Sequence, residues 1–132
     1  MTLVDTSAWI EFLRATGSAA HLALRAALER GDELACTDVV LMEILAGARD
    51  DREWDRLRRL VYGLEFHAVE GPTDYEQAAE IFRICRAGGE TPRRLADCLI
   101  AAVAIRADTE LLSADRDFGA IARHTPLRLV CA

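Results

Sequence analysis

Thr2-Leu3-Val4-Asp5-Thr6-Ser7-Ala8-Trp9-Ile10 changes its hydrophobic period partway along. The apolar run from Thr2 to Val4 stops at Asp5, and Thr6 and Ser7 then open a helical pattern through Trp9, Ile10, Phe12 and Leu13. This reads as a strand followed by a helix, with a carboxylate at the junction.

The alternation continues outward from that stretch. Leu22, Leu24, Ala27 and Leu28 predict a second helix ending near Gly31, and Glu33 to Cys36 a second short strand. Thr37 or Asp38 is expected to cap a third helix with an apolar face of Val40, Leu41, Ile44, Leu45 and Ala48, Gly47 allowing close packing. Between Asp50 and Tyr62, Trp54, Leu57, Leu60 and Val61 recur among charges at the spacing of an amphipathic surface helix. Leu64 to Val69 is a third strand candidate. After the break at Gly71 and Pro72, Thr73 or Asp74 is expected to cap a helix through Ala78, Ala79, Ile81, Phe82 and Cys85, which Gly88 and Gly89 end. Thr91 and Pro92 signal the start of a helical segment from Leu95 to Ile105. Glu110 to Ser113 reads as a fourth strand, Asp115 to Ala122 as a short helix or turn, and Leu127 to Cys131 as a final strand. Strands alternating with helices predict an α/β fold, a three-layer α/β/α sandwich with a mainly parallel central sheet, in which ligands gather outside the carboxyl ends of strands.

Composition narrows the possibilities. With 132 residues, 52% of them hydrophobic, the chain is long enough for one domain with a continuous core, and no repeat, linker or low-complexity segment divides residues 1–132. The longest strictly apolar run, Cys98 to Ile105, is far shorter than the roughly 20 residues of a membrane span. Asp5, Glu11 and Arg14 interrupt any signal-peptide core, so no membrane role and a cytoplasmic location are expected. Cys36, Cys85, Cys98 and Cys131 are scattered and lack metal-ligand spacing; they read as reduced, buried thiols. His21, His67 and His124 show no ligand or base spacing. The net charge of −6 argues against nucleic-acid binding by charge alone, although bound cations reverse the field of an acidic site. All 16 basic residues are arginines, which excludes any mechanism requiring lysine.

The acids stand where apolar residues surround them. Glu43 lies within Val39-Val40-Leu41-Met42-Glu43-Ile44-Leu45, Asp97 within Leu95-Ala96-Asp97-Cys98-Leu99-Ile100, and Asp115 follows the fourth strand. Each has an ordinary alternative: Asp5 as a helix cap, Glu43 as a surface charge, Asp97 as a partner of the helix dipole, Asp115 and Asp117 as turn residues. In an α/β sandwich, however, Asp5, Glu43, Asp97 and Asp115 converge at the carboxyl edge of the sheet. Four carboxylates there repel and raise some of their pKa values unless cations bind. Such hard oxygen ligands suit Mg²⁺ or Mn²⁺, ions that assist phosphodiester cleavage by acidifying water and stabilising the leaving oxygen. Thr6 and Ser7 could hold a water of the ion's shell or a phosphate oxygen at the helix N-terminus, or simply cap that helix.

Val4-Asp5-Thr6-Ser7-Ala8, Met42-Glu43-Ile44, Asp97-Cys98-Leu99-Ile100-Ala101-Ala102 and Leu111-Leu112-Ser113-Ala114-Asp115-Arg116-Asp117-Phe118, in that order, resemble the PIN domain and more narrowly the VapC-type toxins of bacterial toxin–antitoxin pairs. The resemblance spans almost the whole chain. It implies an endoribonuclease dependent on Mg²⁺ or Mn²⁺, a cognate VapB-like antitoxin and a homodimer. Carried over by position, Asp5, Glu43, Asp97 and Asp115 are its catalytic and metal-binding acids, with Asp117 a further metal ligand. Arg86, Arg93, Arg94 and Arg116 are candidates for RNA contact, and Arg49 and Arg52 more distant ones. Trp9, Phe12, Leu13, Trp54 and Leu57 are candidates for a groove that takes an apolar antitoxin helix, though core packing explains many of them too. Receiver-like and haloacid-dehalogenase-like readings require a lysine that this chain lacks. A non-catalytic PIN-like module binding RNA or protein is the other reading left open.

Overall fold

The computed structural model describes residues 1–130. In chain order the elements are β1 (Thr2–Val4), α1 (Thr6–Leu13), α2 (Ala19–Arg30), β2 (Leu34–Cys36), α3 (Asp38–Ala46), α4 (Asp51–Tyr62), β3 (Glu65–Phe66), α5 (Thr73–Ala87), α6 (Leu95–Arg106), β4 (Glu110–Leu112) and α7 (Asp117–His124). The strands form one sheet in the order β3-β2-β1-β4, and every pairing is parallel. Adjacent strand residues face opposite sides of a sheet, and Leu3 and Val4 are both wholly buried, so helices cover both faces of β1. The result is the expected three-layer α/β/α sandwich. Among the described residues no helix is long and apolar enough to cross a membrane.

The topology creates a crevice. From β1 the chain works outward through β2 to β3, then returns to lay β4 on the other side of β1. Connections leaving β1 and β4 therefore diverge, and ligands of parallel sheets gather at such a switch point.

Helix α6 runs beneath it. Every residue from Asp97 to Ala104 is buried, and the helix packs against α5, α7 and α3. Such all-round burial accounts for its unbroken apolar sequence. At its far end Arg106 donates to both carboxylate oxygens of the buried Asp74, at 2.9 and 3.1 Å, tying α6 to α5. Burial pushes the Asp74 carboxyl up, but the Arg106 hydrogen bond overrides this and holds it below its ordinary value.

Several local expectations change. Neither Thr73 nor Asp74 caps α5 by its side chain; Asp74 instead pairs with Arg106 and accepts from the Glu70 amide at 2.8 Å. Thr37 occupies the N-cap of α3 without a side-chain bond, while Asp38 accepts from the Val69 amide at 2.9 Å. Leu22 and Leu28 are exposed, because α2 turns Ala20, His21, Leu24 and Ala27 inward. Gly47 ends α3 rather than admitting a neighbouring element. Its nearest contacts for an added Cβ are carbonyls of its own helix.

The third strand shrinks to Glu65–Phe66, both exposed at the sheet edge. The expected last strand, Leu127 to Cys131, is a single parallel bridge from Leu129 to Leu111, with Cys131 outside the described residues. Cys36, Cys85 and Cys98 are buried free thiols, as composition predicted.

Candidate active site

Asp5 sits where β1 enters the crevice. Its amide donates to the Leu112 carbonyl at 2.9 Å, continuing the ladder between β1 and β4, while its carbonyl receives the amides of Ala8 and Trp9. The side chain is fixed as firmly. Oδ2 accepts from the Ser7 hydroxyl at 2.6 Å, the Ser113 hydroxyl at 3.1 Å and the Ser7 amide at 3.3 Å. Asp5 is therefore the N-cap of α1 and a member of the acid cluster, the two roles sharing one side chain. Its other oxygen, Oδ1, is buried without a hydrogen-bond partner. An unpaired buried carboxylate oxygen is costly and marks a place for a cation.

Ser113 was not singled out from the sequence. Beyond its bond to Asp5, its hydroxyl accepts from the Asp115 amide at 2.9 Å, coupling the end of β1 to the turn after β4. Its place two residues before Asp115, at the end of an apolar strand, was the available signal. In that turn Asp115 Oδ1 accepts from the Asp117 amide at 2.9 Å, so both acids face the same space. Oxygens of Asp97, Asp115 and Asp117 lie within 4.8 Å of one another. Asp97 reaches this group from the first turn of α6 and is fully buried.

Glu43 approaches from α3. Its Oε1 accepts from the Thr6 hydroxyl at 2.9 Å, which accounts for Thr6 as a support to an acid. Its Oε2 meets Arg94 Nη1 at 3.2 Å, and the same guanidinium grips Asp97 through Nη2 at 2.7 Å and Nε at 3.4 Å. Arg93 does likewise on the other side, with Nε 2.9 Å from Asp117 Oδ2 and Nη2 3.1 Å from Asp115 Oδ1. Two of the four arginines expected to contact RNA thus face the acids themselves. Arg116 precedes α7 beside Asp117, whereas Arg86 lies over the Phe82 ring on α5 and is not among the groups bonded to the acids.

The two arginines modify the expected repulsion without cancelling it. Burial pushes the Asp97 carboxyl up to about 6; Arg94 opposes the rise, while Asp5 and Asp115 add to it. Burial also pushes Asp117 upward, but the hydrogen bonds from Arg93 prevail and hold it below its usual value. The donor set consists of carboxylate and hydroxyl oxygens and fits a hard divalent ion, with Asp5 Oδ1 the oxygen still lacking a partner.

A groove of about 350 Å³ between α1, α3 and α4 opens beside this cluster and shares Thr6 and Glu43 with it. Leu13 and Ile10 form exposed apolar lining, Trp9 and Leu57 a buried floor, and Arg14, Arg49 and Arg56 a charged margin in which Glu53 pairs with Arg49 and Arg56. Of the groove residues expected from the sequence, Trp9, Leu13 and Leu57 line it, Trp9 and Leu57 as buried side chains. Phe12, which packs edge-on against Trp9 with ring centroids 6.0 Å apart, and the exposed Trp54 lie outside its lining.

An all-parallel sheet with five carboxylates beyond the carboxyl ends of β1 and β4 is the architecture of the PIN domain, whose family model matches residues 2–124. Ribonuclease VapC11 of Mycobacterium tuberculosis is 46% identical over 97% of this chain and 96% of its own length. The chain belongs to the PIN domain family and, within it, to the VapC ribonucleases. Solved structures agree on the fold. The VapBC2 complex of Rickettsia felis bound to a promoter DNA fragment matches with a TM-score of 0.75, at 16% identity over 98% of this chain and 96% of that one. Mycobacterium tuberculosis VapC20, described as a sarcin–ricin loop cleaving toxin, matches with a TM-score of 0.67, at 24% identity over 97% of this chain and 99% of that one.

Proposed function

We propose that this chain is a divalent-metal-dependent endoribonuclease and the toxin half of a VapBC-type pair. The observation carrying the reading is Asp5 Oδ1, a buried carboxylate oxygen without a partner beside Asp97, Asp115 and Asp117, in a chain related to ribonucleases. Asp5, Asp97, Asp115 and Asp117 would hold Mg²⁺ or Mn²⁺, which when bound acidifies water and neutralises charge on a phosphodiester. Ser7 and Ser113 keep Asp5 Oδ2 occupied and so direct Oδ1 toward the ion. Thr6 anchors Glu43 by Oε1, leaving Oε2 as the oxygen that accepts a proton from attacking water. Arg93, Arg94 and Arg116 supply positive charge for phosphate oxygens.

The groove offers a place for the antitoxin. An amphipathic segment with apolar side chains against Ile10 and Leu13 and acidic ones against Arg14, Arg49 and Arg56 matches its chemistry. Its contact with Glu43 would let the same segment reach the acids. A homodimer is proposed from family membership alone.

The deciding experiment is cleavage of end-labelled RNA with Mg²⁺ by the wild type and by Asp5→Asn. Cleavage by the wild type, lost in the variant while circular dichroism is unchanged, is expected. RNA binding without cleavage at any Mg²⁺ or Mn²⁺ concentration would favour a non-catalytic binding module instead.

A further inference from the structure

Arg94 is bound to the acids in a way that bears on how the site is loaded. Its guanidinium engages both oxygens of Asp97, at 2.7 and 3.4 Å, and the one oxygen of Glu43 that Thr6 leaves open, at 3.2 Å. Asp97 is wholly buried, so its charge needs a counter-ion at all times, whereas the Arg94 side chain is 49% exposed and can leave into water. The residue stands at the N-cap of α6, outside the helix proper, where its departure breaks no helical hydrogen bond.

We propose that Arg94 is a displaceable counter-ion: it neutralises Asp97 and Glu43 in the ion-free protein, gives up those oxygens when a divalent cation enters, and then turns its guanidinium to an RNA phosphate. This rests on the metal-dependent reading above and specifies how one residue serves it. The chemistry favours exchange over sharing. An Asp97 oxygen cannot approach a small divalent ion closely while a cation of like sign is held bidentately on the same carboxylate. A guanidinium released beside the bound ion is then free to make paired hydrogen bonds with a phosphate. Arg93 differs: both of its acids are joined to each other through the Asp117 amide, and Asp5 and Glu43 are outside its reach in the hydrogen-bond network.

The test is Mn²⁺ affinity of the intact protein, read by the electron paramagnetic resonance signal of free Mn²⁺ and by titration calorimetry, with no RNA present. Arg94→Gln is expected to bind Mn²⁺ about 5- to 20-fold more tightly than the wild type at fixed ionic strength, and Arg94→Lys to fall between. Arg83→Gln, which removes one exposed charge elsewhere, should leave the affinity unchanged. A second measurement follows RNA binding by rapid mixing, read before cleavage accumulates: Mn²⁺ should strengthen binding to the wild type more than to Arg94→Gln. Equal or weaker Mn²⁺ binding by Arg94→Gln, with native circular dichroism, would overturn the counter-ion role while leaving metal dependence intact. Mn²⁺ binding absent from wild type and variants alike would overturn both, and the two failures are told apart by the wild-type titration itself.

Discussion

The Ser7 hydroxyl donates to Asp5 Oδ2 at 2.6 Å and thereby decides which oxygen of Asp5 remains open, since Oδ1 is left buried and unpaired. Groups that orient a ligating side chain are typically worth about 10- to 100-fold in metal affinity or activity. Ser7→Ala should therefore lower the RNA cleavage rate by about that factor and weaken Mn²⁺ binding in parallel. Rate measurements across a Mn²⁺ series distinguish this from a general loss of stability, which would lower the melting temperature and leave metal affinity in place.

Asp97 makes the ion-free protein sensitive to pH. Its carboxyl is pushed up to about 6 by burial, against the ordinary 3.8, so the folded state holds that proton more tightly than the unfolded chain. The associated stability is complete below the unfolded value and is lost as pH rises to about 6, after which it changes no further. Melting curves in chelator should show Asp97→Asn gaining on the wild type from pH 4 to about 6.5. A constant difference across that range would contradict the elevated carboxyl.

Glu43 is held by Thr6 and Arg94, so its charge is compensated without an ion. The mutual repulsion expected among the carboxylates is offset at this residue by Arg94. Glu43→Gln should be neutral or lose up to about 1 kcal/mol by urea denaturation, the range for a partly exposed pair. A gain exceeding about 1 kcal/mol would show that repulsion dominates there after all.

On the proposed reading of the groove, Leu13 separates partner binding from catalysis. It is exposed, lines the groove and makes no contact with the acids through hydrogen bonds. Leu13→Asp should weaken binding of a VapB-like antitoxin by about 10-fold or more, with RNA cleavage in its absence retained. Calorimetry with the purified antitoxin, and cleavage assays titrated with it, measure the two effects separately.

The sequence made the acids legible because each interrupts an apolar run: Glu43 between Met42 and Ile44, Asp97 between Ala96 and Cys98. It also placed β1, β2 and β4 to within a residue or two, since their apolar runs end at punctuating polar residues. What escaped it was pairing across space. Nothing in Thr91-Pro92-Arg93-Arg94 reveals that its arginines fold back onto four acids contributed by α3, α6 and the turn into α7. Asp74 resembled a cap for the same reason, because its partner Arg106 lies 32 residues further on. The third strand was overestimated because an edge strand needs only a few paired residues, and His67 continues the pairing only through its bond to the Cys36 carbonyl.

Helix α6 has one further consequence. Since Asp97 is the leading residue of a stretch enclosed on all sides by core side chains, its position is inherited from how Ala101, Ala102 and Ala104 nest against their neighbours. Enlarging one of these alanines would shift the helix and with it the Asp97 carboxylate, detuning the site from a distance. The buried alanines of α6 thus constrain the reaction centre alongside the acids it displays.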